Sequence, residues 1–282
     1  MADRRDALRA FGLVATAACG GLAKAGARPA RRVGIAFGSG GSHGLAHVGA
    51  IRAFEKLGVR PAVIAGCSAG AIAGGLWAAG RNAGEIELLA RDDSWRQDDG
   101  WRWPRFGLGQ LRRLQALIDQ LSKGARIEAL PIPFAAVATD LVSGRAEILR
   151  RGPLAPAIAA SASVPVLYEP VVLEGRFLVD GALTAPLPID AARVIGADVV
   201  IAIDVAYRPY EDVVSGITGV AFQMFHIMVN QLIAEQVRRA DHAIRLDVHA
   251  LMKNGADPQA LLGAGERAVY EAWPTLAPLF GA

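Results

Sequence analysis

Cysteine is almost absent from this chain. Of its 282 residues only Cys19 and Cys67 carry a thiol, and Cys19 falls in a segment that reads as removed or modified. No disulfide framework can then hold the fold, and a buried apolar core must. Internal repeats and long low-complexity tracts are also lacking. An excess of one charge is lacking too: 30 Lys and Arg stand against 27 Asp and Glu, a formal +3. Residues 1–28 hold Arg4, Arg5, Arg9, Lys24 and Arg28 against Asp3 and Asp6, which accounts for the whole of that excess. No basic stripe or reader motif remains, so nucleic acid is not expected as a partner. No clustered His, Cys or Asp spacing offers a metal site. What is plentiful is apolar residue, 52% of the chain, enough for the core of one α/β domain.

The first 28 residues read as an export signal. A charged stretch precedes the apolar run Phe11–Cys19, and Ala23-Lys24-Ala25 supplies small residues for cleavage. The run is too short for a spanning helix. Arg4-Arg5 fits the twin-arginine route, and Thr16-Ala17-Ala18-Cys19 resembles a lipoprotein cleavage box, with Thr16 where leucine is usual. The expected location is therefore the periplasm, or a membrane to which a lipid on Cys19 anchors the chain; the plain alternative is a frayed helix on a cytoplasmic protein. The mass of the N-terminus in the native host tests the anchor, and an unmodified, uncleaved terminus refutes lipidation of Cys19. Residues 29–282 form the domain.

Apolar runs separated by helical patterns give the fold class. Strands are expected at Arg31–Phe37, Pro61–Gly66, Phe134–Asp140, Ala146–Leu149, Arg176–Gly181 and Val199–Asp204. Helices are expected from Leu45 to a stop at Gly58, from Ala69 to Gly80, and over Leu108–Leu121, Pro156–Ser163 and Val220–Asp241. Strands without polar alternation are buried on both faces, so the expectation is a three-layer α/β/α domain with a mainly parallel sheet. Phe222, Phe225, Met228, Val229, Leu232, Ile233 and Val237 form one stripe of the last helix, read as core packing ahead of an acyl-binding wall. Between 91 and 109, Trp95, Trp101, Trp103 and Phe106 interleave with arginine, a composition that suits a lid or a lipid–water boundary as well as a plain surface loop.

Two stretches carry chemistry. Gly66-Cys67-Ser68-Ala69-Gly70 follows a strand and opens a small-residue helix; a G-x-S-x-G sequence there lifts a serine out on a strained turn, beside a helix N-terminus. Ser68 is thus the candidate nucleophile, against the plain alternative of an N-cap serine. Cys67 beside it reads as a small buried hydrophobe. The other stretch, Gly38-Ser39-Gly40-Gly41-Ser42-His43-Gly44, fails as a dinucleotide fingerprint, because His43 stands at the third glycine and no acidic residue ends the next strand. It fails as a P-loop for want of Gly-Lys-Ser/Thr. What remains is a turn whose N–H groups can meet an anion. If Ser68 attacks an acyl carbonyl, the oxyanion needs such donors, each commonly worth about 10²–10³ in rate. Consecutive βα turns open on one sheet edge, so loop and elbow should meet.

A serine needs a base, and Asp140, Asp180 and Asp204 each close a strand that could reach that edge. A Ser–Asp–His order is formally met by Ser68, Asp204 and His226 or His242. That fold, however, places several strands before its elbow, and here one precedes. The three motifs Gly38–Gly44, Gly66–Gly70 and Asp180-Gly181-Ala182 together resemble the patatin-like phospholipases, the bacterial single-domain members above all. The resemblance runs from about Val33 to Asp204 and includes Val137-Ala138-Thr139-Asp140 and Ser161-Ala162-Ser163-Val164-Pro165. It implies a Ser–Asp dyad, with Ser68 as nucleophile, Asp180 as base and the N–H groups of Gly40 and Gly41 as oxyanion donors.

Ser39 departs from a usual glycine and His43 from a usual Arg or Lys. His43 is read as a weakened, pH-dependent form of that positive charge. Rates of His43→Arg and His43→Ala against pH are the check: wild-type behaviour from mildly acidic to alkaline pH refutes the reading. The implied function is hydrolysis of lipid carboxylic esters, of phospholipase A or lysophospholipase type, without cofactor or metal, on a lipid or phospholipid substrate at a membrane surface. The alternatives are a carboxylesterase for small or neutral esters and a non-catalytic lipid-binding protein.

Overall fold

The computed structural model describes residues 31–91, 107–206, 216–248, 251 and 257–281. The segment read above as an export signal and most of the tryptophan-rich stretch lie outside them. Among the described residues the chain opens with β1 (Val33–Phe37), α1 (Gly44–Lys56), β2 (Val63–Cys67), α2 (Ala69–Ala78) and α3 (Ala83–Arg91). It continues with β3 (Gly107–Gly109), α4 (Arg112–Ser122), β4 (Phe134–Asp140), β5 (Ala146–Leu149) and α5 (Leu154–Ala162). Then come β6 (Val166–Tyr168), β7 (Val171–Leu173), β8 (Arg176–Asp180), α6 (Ile189–Val194) and β9 (Val199–Asp204). The last elements are α7 (Gly216–Gln236), β10 (His242–Arg245) and α8 (Pro258–Leu276).

β10, β9, β1, β2 and β4 lie side by side and parallel, and every residue of β1, β2, β4 and β9 is buried. Uninterrupted apolar strands need cover on both faces, and the core divides accordingly. Ile35, Phe37, Ile64 and Ile203 point into one layer, where they pack with Phe54, Leu76 and Ile158 from α1, α2 and α5. Ala36, Val63, Ala65 and Val200 point into the other, with Ile189 of α6 and Val229 and Ile233 of α7. The period-two alternation of each strand therefore builds a three-layer α/β/α domain.

Parallel pairing stops at β4. β5 pairs antiparallel with it over Ala136–Thr139, and β8 pairs antiparallel over Ala138–Asp140. β2 pairs with Phe134–Val137 of the same strand. Ala136 already has partners in β2 and β5, and Ala138 in β5 and β8. β5 thus takes one edge of β4, while β2 and β8 share the other, end to end. This end-to-end meeting positions the candidate site. Several expected boundaries shift. The helix expected from Leu108 begins at Arg112, because Gly107–Gly109 pair with β6 as a two-stranded ribbon. α5 begins at Leu154, two residues before the expected Pro156. The helix expected to reach Asp241 ends at Gln236, and the Asp241 carboxylate instead accepts the Val200 N–H at 2.7 Å, tying down the start of β9.

Candidate active site

Ser68 leaves β2 with φ 54° and ψ −123°, a conformation that costs an L-residue roughly 1–3 kcal/mol. It is buried, and its Oγ donates to Asp180 Oδ2 over 2.7 Å, 112 residues away in sequence. Asp180 closes β8. Its other oxygen, Oδ1, accepts the Ala182 N–H at 2.8 Å, the first turn of the short 3-10 segment that follows. The carboxyl group is 1% exposed. Burial pushes its pKa up from 3.8 to about 7, against the opposing pull of the Ser68 hydroxyl and the Ala182 N–H. A carboxylate so placed is a base suited to neutral pH.

The glycine loop lies beside this pair. Gly38 N–H donates to Ile203 O and Ser39 N–H to Pro186 O, so the loop's first half is fastened to β9 and to the segment before α6. Gly40 accepts the His43 N–H at 2.9 Å, and Gly41 has φ +51°, the left-handed region that glycine enters without penalty. The amides of Gly40 and Gly41 donate to no backbone carbonyl among the described residues. Ser68, Asp180, Gly40 and Gly41 all line one cavity of about 320 Å³.

The other candidates separate cleanly. Asp140 turns back on its own loop, accepting the N–H groups of Val142 and Ser143, which hold its pKa below the usual carboxylate range. Asp204 is fully buried and accepts from Ala206 N–H and Arg245 Nε. Neither lines the cavity. Cys67 is buried with its thiol pKa pushed well up by desolvation, and by the nearby Asp180 carboxylate, as a packing residue requires. His43 is buried and lines the cavity, and His226 lies at its exposed side. The α7 stripe divides: Val229 and Ile233 enter the core, Phe222 and Phe225 wall the cavity, and Met228 is 47% exposed.

Sequence reasoning passed over two residues here. His47 is fully buried; its Nε2–H donates to the Gly38 carbonyl at 2.7 Å, and desolvation lowers its pKa to about 4, so the ring is neutral. It holds the glycine loop from below. Its position four residues after His43, on the buried face of α1, was the only signal. Ser161, quoted only as part of a motif, accepts the Ser68 N–H at 2.9 Å.

A three-layer α/β/α domain that carries a serine on a sharp strand–helix turn against a buried carboxylate defines the class of protein. The chain belongs to the patatin-like phospholipase family, whose profile matches residues 35–193. It is 38% identical over 175 residues to an uncharacterized NTE family protein of Mycobacterium tuberculosis, covering 61% of this chain and 48% of that one. It is 31% identical over 204 residues to a lysophospholipase, nte1, of Emericella nidulans, covering 67% of this chain and 13% of that one. The chain thus spans about half the length of this mycobacterial relative and much less of the fungal one. Among solved structures, VipD from Legionella pneumophila superposes with a TM-score of 0.55 at 14% identity, over 88% of this chain and 67% of that one, a likeness of fold.

Proposed function

We propose that this protein hydrolyses carboxylic esters of lipids as a serine acyl hydrolase of phospholipase A or lysophospholipase type. The observation that carries the reading is the 2.7 Å hydrogen bond from Ser68 Oγ to a carboxylate whose pKa burial has raised to about 7. Ser68 Oγ attacks the ester carbonyl carbon as Asp180 takes its proton; the carbonyl oxygen becomes the oxyanion and accepts from the Gly40 and Gly41 N–H groups. The intermediate collapses, the C–O bond to the alcohol breaks, and Asp180 returns the proton to the leaving oxygen. Asp180 then takes a proton from water, whose oxygen attacks the acyl carbonyl carbon; the bond to Ser68 Oγ breaks, Asp180 returns the proton to that oxygen, and the fatty acid leaves. The apolar cavity walls from Phe222, Phe225 and Val229 suit a lipid chain, and the fungal relative is named a lysophospholipase.

A fluorophosphonate probe and a lipidomic digest test this together. Wild-type protein is expected to be labelled at Ser68 and to release fatty acid from phospholipid or lysophospholipid vesicles; Ser68→Ala is expected to do neither, with at least about a 10³-fold loss of rate. Labelling with turnover of short-chain esters only would favour the carboxylesterase. Absence of labelling and turnover in folded wild type would favour a lipid-binding protein.

A further inference from the structure

We propose that Ser161 is the positioning residue that sets the separation of Ser68 and Asp180. This inference rests on the hydrolase reading above and concerns how its two central groups are brought into register. Ser68 follows β2 and Asp180 ends β8, and these strands meet end to end along one edge of β4. At such a junction the ladder is interrupted, and the amides at the two strand ends lose the partners a continuous strand would give them. The end of α5 supplies replacements. Ser161 Oγ accepts the Ser68 N–H at 2.9 Å and donates its own proton to the Val137 carbonyl of β4 at 2.6 Å. Two residues on, the Ser163 carbonyl accepts the Asp180 N–H at 2.9 Å. One turn of backbone therefore fastens the nucleophile's amide to one end of a rigid span and the base's amide to the other.

Ser161 is the only side chain in that span bonded to the backbone of Ser68, and it is completely buried. Its hydroxyl is used on both sides, as acceptor and as donor, so alanine deprives both the Ser68 N–H and the Val137 carbonyl of this partner. The strained Ser68 backbone needs such a fixing: φ 54° persists only where the surroundings over-determine it. The Asp180 end is held independently, because Thr139 Oγ1 donates to the Asp180 carbonyl at 3.0 Å. Removing the Ser161 hydroxyl should accordingly loosen the elbow while leaving the carboxylate in place. A displacement of about 1 Å at a reacting atom can cost on the order of 10² in rate.

The test compares wild type, Ser161→Ala, Ser161→Cys and Val269→Ala, a fully buried residue of α8 that does not line the cavity, by turnover of a lipid ester and by the second-order rate of fluorophosphonate labelling at Ser68. Ser161→Ala is expected to lose about 10–10² in both kcat and labelling rate, with KM within about threefold and the acid limb of the pH profile unmoved. Ser161→Cys keeps the shape but only a weak donor and acceptor, so its rates should lie more than threefold below those of wild type and above those of Ser161→Ala; it serves alone should the alanine variant not fold. Val269→Ala, lowering the melting temperature without touching the site, should keep its rates. Ser161→Ala or Ser161→Cys labelled and turning over within threefold of a labelled wild type overturns the positioning role alone. A folded wild type that is neither labelled nor active overturns the hydrolase reading and the positioning role with it.

Discussion

Asp180→Asn is expected to lose about 10³–10⁴ in kcat and yet to melt at a higher temperature than wild type above neutral pH. The loss follows from chemistry: the carboxamide can occupy the same place, but it cannot take the Ser68 proton, and general-base assistance is worth 10²–10⁴. The gain follows from linkage. In the unfolded chain this carboxyl titrates near its ordinary value, whereas in the folded protein desolvation raises its pKa to about 7. Below the unfolded pKa both states hold the proton and the group costs nothing. Between that value and about 7 the folded state binds more protons than the unfolded one, so stability falls as pH rises. Above 7 the deficit is constant. Three pKa units set a ceiling of about 4 kcal/mol, of which roughly 2 kcal/mol should be recovered in the variant after its altered hydrogen bond to Ser68. At about 2–4 °C per kcal/mol the melting temperature at pH 8 should rise by some 5 °C, and the two proteins should converge near pH 4.

The same pKa sets the rate profile of wild type. Activity needs the ionised carboxylate, so kcat/KM should fall about tenfold per unit of pH below 7 and level off above it. A rate that stays flat from pH 5 to 9, or an Asp180→Asn variant with more than a few per cent of wild-type activity, would remove Asp180 from the role of base.

Gly70→Ala should be the most damaging small substitution in the elbow. A Cβ at this position would lie 2.3 Å from the Phe37 carbonyl oxygen and 2.4 Å from that of Gly38. Both are backbone atoms at the end of β1, which is paired on either side by β2 and β9, so neither can yield without shifting the sheet. The expected cost is about 3 kcal/mol or more, near 10 °C in melting temperature, with a large fall in soluble yield. Activity should fall further than stability, because the same displacement pushes the glycine loop away from Ser68. Gly41→Ala is the informative comparison. No atom lies within 4 Å of its added Cβ, so only the strain of φ +51° remains, about 1 kcal/mol. Scanning calorimetry on the two variants separates them: equal melting temperatures would mean that the helix can back away from the sheet.

Much of this molecule was legible along the chain because its signals are local. β4, β5 and β9 begin and end where the apolar runs do, and α1 ends just before Gly58, which takes φ +69°. Ser68 announced itself through the flanking glycines. Its partner was less visible: three aspartates end strands of similar character, and only a family resemblance singled out Asp180. The dividing line is pairing. The composition of the strand set points to a mainly parallel sheet, but one five-residue strand does not show its own direction or partner, so nothing in Arg176–Asp180 says that β8 enters against β4 and stops where β2 stops. The α7 stripe was similarly ambiguous, because a phenylalanine facing a core and one facing a cavity look alike in a helical pattern.

The sequence by itself determined the layer architecture, the turn that raises the serine and the glycine-rich loop beside it, since each depends on side-chain period or on backbone freedom within a dozen residues. Only the tertiary structure decided which aspartate meets Ser68, that His47 and Ser161 hold the two loops in place, and that burial lifts the Asp180 pKa to about 7. Those outcomes depend on the distances and the dielectric between groups as much as 112 residues apart along the chain, quantities that exist only once strands have chosen their neighbours.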